Sequence, residues 1–544
     1  MRRILILSFA VLSSITSFAQ NKNAKQCYDN AQHCLESKNY AQSIVCYSDA
    51  IKIDPNYSAA YLSRGVAGMN LKNYGNALLD FTKVIELNPK NFFAYYNRGI
   101  VQSQLGKDSL AILDFNRAIN IFPIYSAFCR RGISLMNLNH YEASIPDFEQ
   151  CINLNNYNDS GYFYLGFAEL KLNWFEKAIN HFNQALLLNP NNDLGFFNRG
   201  LSEIGLGDSI SALVDFTKAI GINDGNFSAH ENRALLLDKM GKDKDALDDL
   251  NICLKANPSN SIALNQRGNA FFKMGNYANA MLDLNKSIEL SPENPNAFNN
   301  RGEVFLASGK NKEALSDYSQ AIKLSPNNSE TYFYKAIAEY KLNAFDKSIS
   351  DLNTAIQINP DYKRAYDFRG SIYLALEDYE NAISDLTKVI ALSPSESKAY
   401  CDRGFIFAAA GQEENALADY NKAIELDENS STAYEGRAGI SYNNGDFFLA
   451  ILDYNVAISL DSTNVNAWFN RAESERYSAK YKEAISDYSK VISMQPQSHI
   501  AFYKRGLCQY NNGNRKSAKS DFEQALLLDP KNQYYQQSLK QIGK

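Results

Sequence analysis

The sequence predicts an all-α solenoid, a stack of short helical hairpins repeated along almost the whole chain. Three observations predict it. A unit of 34 residues recurs in phase fifteen times between residues 24 and 532, with a single copy one residue short. Each copy keeps small residues at its positions 8, 20 and 27 and a ring or leucine at position 24. A base at position 7 goes with an aspartate at position 23 in thirteen copies. The units begin at Ala24, Ser58, Phe92, Tyr125, Asp159, Asp193, Phe227, Ser261, Pro295, Ser329, Lys363, Ser397, Ser431, Val465 and His499.

Each unit reads as two antiparallel helices. Residues at positions 4, 8 and 11 share one face of a first helix, and those at 20, 24 and 27 share one face of a second. Position 8 is always Gly or Ala and position 20 always Ala or Ser, so the helices can approach closely. The side chain at 24 (Phe81, Phe115, Leu250, Tyr318, Phe522) fills the space beside them. Gly or Asn near position 15 supplies the turn, as at Gly106, Gly207 and Gly411. Position 32 is proline in eleven copies and ends the second helix, because proline offers no backbone donor and restricts the residue before it.

The charge pattern predicts a salt bridge in each unit that carries it. Arg64 goes with Asp80, Arg98 with Asp114, Arg301 with Asp317 and Arg505 with Asp521. Both positions lie about eight residues from the turn, so an antiparallel hairpin sets them level. Pairing with the adjacent unit would give the same co-occurrence. Two units lack base and acid together, with Asn30 and Cys46 in the first and Leu165 and His181 in the fifth.

These positions together resemble the tetratricopeptide repeat over residues 24–532. The resemblance implies a right-handed superhelix whose concave groove is lined mainly by the first helices. The family's tryptophan at position 4 is usually Tyr or Phe here, and Trp468 is the one true match. The tail 533–544 carries Tyr535, Leu539 and Ile542 at helical spacing and reads as a C-terminal capping helix. The stretch 92–226 is irregular: one unit is short, Pro146 falls inside a second helix it should distort, and Asn156 and Asp224 replace terminating prolines. It reads either as drift or as a local joint.

The first residues read as a targeting signal. Arg2 and Arg3 precede an apolar run from Ile4 to Ile15 and a small-x-small site at Ser17-Phe18-Ala19. Residues 1–19 are expected to be a signal peptide and 20–23 a short tail, with no membrane span in the mature chain. The product is expected to be exported, to a periplasm or beyond the cell. Cys151 and Cys253 stand where other units have alanine and read as small core residues. Cys27, Cys34 and Cys46 leave room for one bridge, although Cys27 and Cys34 lie about 10 Å apart by helical rise.

Composition excludes several classes. The net charge is -5 with both signs mixed, so nothing points to nucleic acid. The five histidines fall at unrelated positions, and none has a metal-ligand partner at the right spacing. No phosphate loop or nucleophile elbow is present, so neither enzymatic activity nor a cofactor or metal is expected.

What remains is the groove. The resemblance places ligand contacts at positions 2, 5, 6, 9 and 12 of the first helix. The candidates are Leu62, Tyr96, Asn97, Phe163, Phe197, Asn198, Asn265, Asn269, Asn299, Asn300, Phe333 and Tyr340. Aromatic faces with interspersed asparagines suit an extended peptide, because an amide both donates and accepts. Many of the same side chains also suit packing between neighbouring first helices. The expected function is an exported, non-enzymatic scaffold that binds protein segments. A glycan-binding module and a structural spacer of the cell envelope are the alternatives, and self-association stays open.

Overall fold

The computed structural model describes residues 23–542, so the expected signal peptide lies outside the described residues. The described residues divide into two compact bodies, 23–276 and 277–542. Among the described residues every regular element is a helix. In the first body the second unit folds as Ser58–Asn70 (13 residues) and Tyr74–Leu87 (14 residues). In the second body the fourteenth folds as Val465–Tyr477 and Tyr481–Met494, with the same two lengths. Within each body, hairpin stacks on hairpin through the second helix of one unit and the first helix of the next.

Position 24 explains position 8. An added Cβ at Gly65 would stand 2.7 Å from the Phe81 ring, and one at Gly302 2.7 Å from the Tyr318 ring. Glycine therefore serves where a ring must lie flat against the first helix. Position 15 adopts a positive φ in every unit, from Gly106 (φ 70°) to Ala479 (φ 55°). This left-handed residue ends the first helix and starts the turn, whatever its side chain.

The charge pair is intramolecular to its hairpin. Arg64 donates Nε to Asp80 Oδ2 at 2.9 Å and Nη2 to Oδ1 at 2.7 Å. Arg98, Arg301 and Arg505 hold Asp114, Asp317 and Asp521 in the same two-pronged way. The adjacent unit is engaged as well, through the remaining nitrogen. Arg199 Nη1 donates to Asn183 at 2.6 Å and Arg437 Nη1 to Asn421 at 2.7 Å, each at position 25 of the preceding unit. Position 25 is Ser, Thr or Asn in thirteen units. One departure, Glu149, precedes Leu165, where no base awaits it, and the other, Glu523, precedes the tail. One guanidinium thus closes its own hairpin and pins it to the previous one. The ring at position 4 lies under the same cation, with Tyr61 5.5 Å from Arg64 and Trp468 4.7 Å from Arg471.

The irregular stretch keeps the same hairpins. The residue missing from the third unit comes from the link between Asp108–Ile121 and Tyr125–Asn137, and both helices keep their lengths. Pro146 does not interrupt its helix, which runs the usual 14 residues from Tyr141 to Leu154. The expected distortion is absent because Pro146 and Glu142, whose carbonyl loses a donor, are both exposed, and water can satisfy that carbonyl. In the fifth unit His181 Nδ1 lies 2.6 Å from buried Glu169, so a second pair replaces the missing one. Cys151 is not merely a small core residue. It is bonded to Cys129 across the fourth hairpin, with Cα atoms 5.5 Å apart, while Cys27, Cys34 and Cys46 remain free.

Position 11 is less well resolved. Glu169 has its histidine, but Glu203 and Glu475 each keep a buried oxygen without a hydrogen bond. Burial, reinforced by Asp215, pushes the Glu203 carboxyl up to about 7. Burial, reinforced by Asp487, pushes Glu475 up to about 8. At the other end of the second body, Gln533–Ile542 covers the last unit. Its Tyr535 is buried, 4.6 Å from the Tyr503 ring, and bonds His499 Nδ1 at 2.8 Å.

Candidate functional site

Each first helix packs against the second helices of its own and the preceding unit, and that packing decides which groove positions are open. Position 5 rests on the ring at position 24 of its own unit. Tyr96 lies 6.2 Å from Phe115, Phe163 5.9 Å from Phe182, and Phe197 5.8 Å from Phe216. Leu62 packs the same way beside Phe81. Position 6 covers the ring of the preceding unit. Tyr164 stacks on Phe148 at 5.8 Å and Tyr334 on Tyr318 at 6.2 Å.

Several sequence-predicted site residues are therefore largely occupied. Phe333 is 4% exposed, between Tyr362 and Phe368 with Arg364 over its face. Tyr340 packs on Phe345 and Phe368 and keeps about a third of its surface open. Asn198 returns its amide to the Leu194 carbonyl of its own helix at 2.8 Å, and Asn269 gives its amide to Asp238. Asn265 is buried, and Asn97, Asn299 and Asn300 are half-buried, with the Asn299 Oδ1 enclosed and lacking a hydrogen bond. In the fourteenth unit Glu473 is held by Arg476 and Lys504 and by the Tyr488 hydroxyl.

The thirteenth unit is different. It is the one unit with glycine at position 6 and at position 9, Gly436 and Gly439. No position-6 side chain lies over the preceding unit's Tyr420, whose ring rests directly on the Gly436 backbone, 2.3 Å from where a Cβ would stand. Gly439 leaves open space beside it, with nothing nearer than the Tyr454 hydroxyl at 4.0 Å. The result is a cavity of about 680 Å³ on the first-helix face of units 12 to 14. Tyr420 and Tyr454 form its floor, Phe405, Ala408 and Ile440 an apolar wall, and Asp402, Asp427 and Glu435 a polar rim. Volumes of this order hold ligands or bound side chains. Burial pushes the Tyr420 hydroxyl up to about 12 and raises that of Tyr454 as well, so both stay protonated. Glu435 accepts from the Asn464 amide at 2.7 Å, and Asp402 holds Lys398. Phe405 stands with 57% of its surface open at the entrance.

None of the twelve candidates named above lines this cavity, although Asn470, a position-6 asparagine that the sequence also offers to the groove, does. The signal was present in the sequence, as two glycines at variable positions of a unit that keeps the charge pair and the small residues of the hairpin. It was missed because absent side chains are not usually sought as binding residues. Among the described residues no group of three or more His, Cys, Asp or Glu side chains is arranged to hold a metal ion. No described helix is long and apolar enough to cross a membrane.

Comparison with known proteins agrees with this architecture. Models described as tetratricopeptide repeat match residues 58–91, 81–112, 125–158, 160–192, 363–396, 397–430, 465–498 and 499–532. A model described as TPR repeat matches 268–309 and 302–343, and together the matches cover more than half of the chain. No curated protein matches. Among solved structures, a tetratricopeptide repeat protein from Parabacteroides merdae is 21% identical, over 45% of this chain and 98% of that one, with a TM-score of 0.36. YrrB, described as a TPR protein with an unusual peptide-binding site, is 21% identical, over 34% of this chain and 95% of its own, at 0.31. MamA is 23% identical, over 30% and 94%, at 0.29.

Proposed function

From a chain that belongs to the tetratricopeptide-repeat family, we infer an exported, non-enzymatic scaffold that holds an extended segment of another protein on the inner face of its first helices. The cavity over Gly436 and Gly439 is the anchor point. The observation that carries this reading is the recess over Tyr420, which no position-6 side chain covers, in contrast to Phe148 and Tyr318. Framework residues do not require that opening, since Tyr164 and Tyr334 show how the same position is filled. A segment that inserts a side chain there regains the packing the glycines forgo.

Two features support export. Residues 2–19 have the charged, apolar and small-residue order of a secretory signal. The Cys129–Cys151 bridge belongs to an oxidising compartment.

Selection of displayed random peptides on the immobilised protein tests the function. The reading expects enriched peptides that bind the native protein and lose at least tenfold in affinity for the Gly439→Leu variant, whose side chain fills the cavity. Peptides that bind both proteins equally would contradict it, and so would a selection with no enrichment.

A further inference from the structure

We propose that the cavity over unit 13 takes a basic side chain, lysine or arginine, from the segment it holds. This rests on the groove reading above and adds the chemistry of the occupant. The lining carries three carboxylates, Asp402, Asp427 and Glu435, against a single cation, Lys398. That cation is already bound to Asp402. Asp367 lies close enough to Lys398 and Asp402 to feel both, so the acidic excess extends along the face.

The floor points the same way. Tyr420 is 4% exposed and Tyr454 1% exposed, and both line the cavity. The Tyr420 hydroxyl lies against the bare Gly436 backbone, 2.8 Å from where a Cβ would stand, at the lining of the cavity. A hydroxyl oxygen accepts from an ammonium or guanidinium, as do the second oxygens of Glu435 and Asp427. The long aliphatic stem of such a side chain suits the wall of Ala408 and Ile440. The open ring of Phe405 offers a face to the cation. An acidic side chain would meet three like charges in a recess that screens them poorly.

The probes are fluorescein-labelled decapeptides from the selection above, each made with arginine, citrulline or glutamate at its central position. Citrulline keeps the shape of arginine and removes the charge. Anisotropy titrations are expected to show the arginine peptide binding at least tenfold more tightly than the citrulline peptide, and the glutamate peptide weakest. The Asp402→Asn, Glu435→Gln double variant is expected to erase the difference between arginine and citrulline, with an unchanged melting curve. Equal binding of arginine and citrulline peptides to the native protein would overturn the proposal. If Gly439→Leu still blocks both, the cavity remains a docking place and only its basic preference falls. If Gly439→Leu blocks neither, the groove reading itself falls.

Discussion

Units 4 and 5 look broken in the sequence and fold regularly, whereas unit 13 looks regular and is the place where the structure opens. Unit 4 carries a proline inside a helix and unit 5 lacks the charge pair, yet both keep 13- and 14-residue helices. Their irregularities fall on the framework and are offset locally, by an exposed site for Pro146, a disulfide across the hairpin and a His181–Glu169 pair. Unit 13 keeps its hairpin and charge pair, with Arg437 on Asp453, has Ser462 for the terminating proline, and is the one unit with glycine at both positions 6 and 9. Changes that the fold must repair are conspicuous, and those that it can leave unrepaired are where function has room.

The largest expected effect compares the Arg437–Asp453 pair with the His181–Glu169 contact that stands in its place in unit 5. Asp453→Ala leaves a guanidinium without its partner and should cost about 3 kcal/mol, near the lower end for a pair of this burial. His181→Ala leaves Glu169, 3% exposed, unpaired and should cost about 1–3 kcal/mol. Urea unfolding with hydrogen exchange on each hairpin would measure both. A cost under about 0.5 kcal/mol for His181→Ala would mean that unit 5 needs no substitute pair.

The disulfide comes next. Replacing Cys129 and Cys151, 22 residues apart, with serine should remove about 3 kcal/mol, seen in the denaturation midpoint. Faster exchange should be confined to Tyr125–Leu154 and its neighbours, since a stacked array loses stability locally. Loss spread evenly along the first body would contradict a local repair.

The two glycines of unit 13 should then separate from each other. Gly436→Ala drives a methyl into the Tyr420 ring and should cost about 1–3 kcal/mol. Gly439→Leu has open space, with its Cβ 4.0 Å from the Tyr454 hydroxyl, and should raise helix stability by about 0.5–1 kcal/mol while it closes the cavity. Thermal melts of the two variants measure the contrast. Equal destabilisation would mean that the cavity is tighter than its lining implies.

A dependence on pH separates the buried carboxyls of position 11. The carboxyls of Glu203 and Glu475 titrate higher in the folded chain, about 7 and about 8, than in an unfolded one. Each therefore stabilises the fold fully at low pH and loses that contribution as pH rises through its folded value. Stability should fall between about pH 5 and pH 8, and Glu475→Gln should flatten the fall. A melting temperature constant over that range would contradict the account.

The hairpins were legible because each is written fifteen times. Chance variation averages out at positions 8, 20, 24 and 27, and the capping helix follows from three spaced apolar residues. The charge pair was legible as co-occurrence, but its third arm was not, because position 25 accepts Ser, Thr or Asn and so shows no single residue type. The disulfide was hidden because Cys129 stands at a variable position, and only the hairpin brings it level with Cys151. The candidate site was read too broadly. Position 5 seemed open in sequence, but rings such as Phe163 and Phe333 lie against their own second helix. Openness came instead from two missing side chains.

Hydrogen exchange of the second body, with and without a selected decapeptide, tests the central claim most directly. The account predicts slowed exchange in Ser397–Ala409, Ser431–Asn443 and Val465–Tyr477, the first helices around the cavity, and none of it in the Gly439→Leu variant. Protection centred instead on the outer helix Phe447–Leu460, or protection that survives Gly439→Leu, would contradict it.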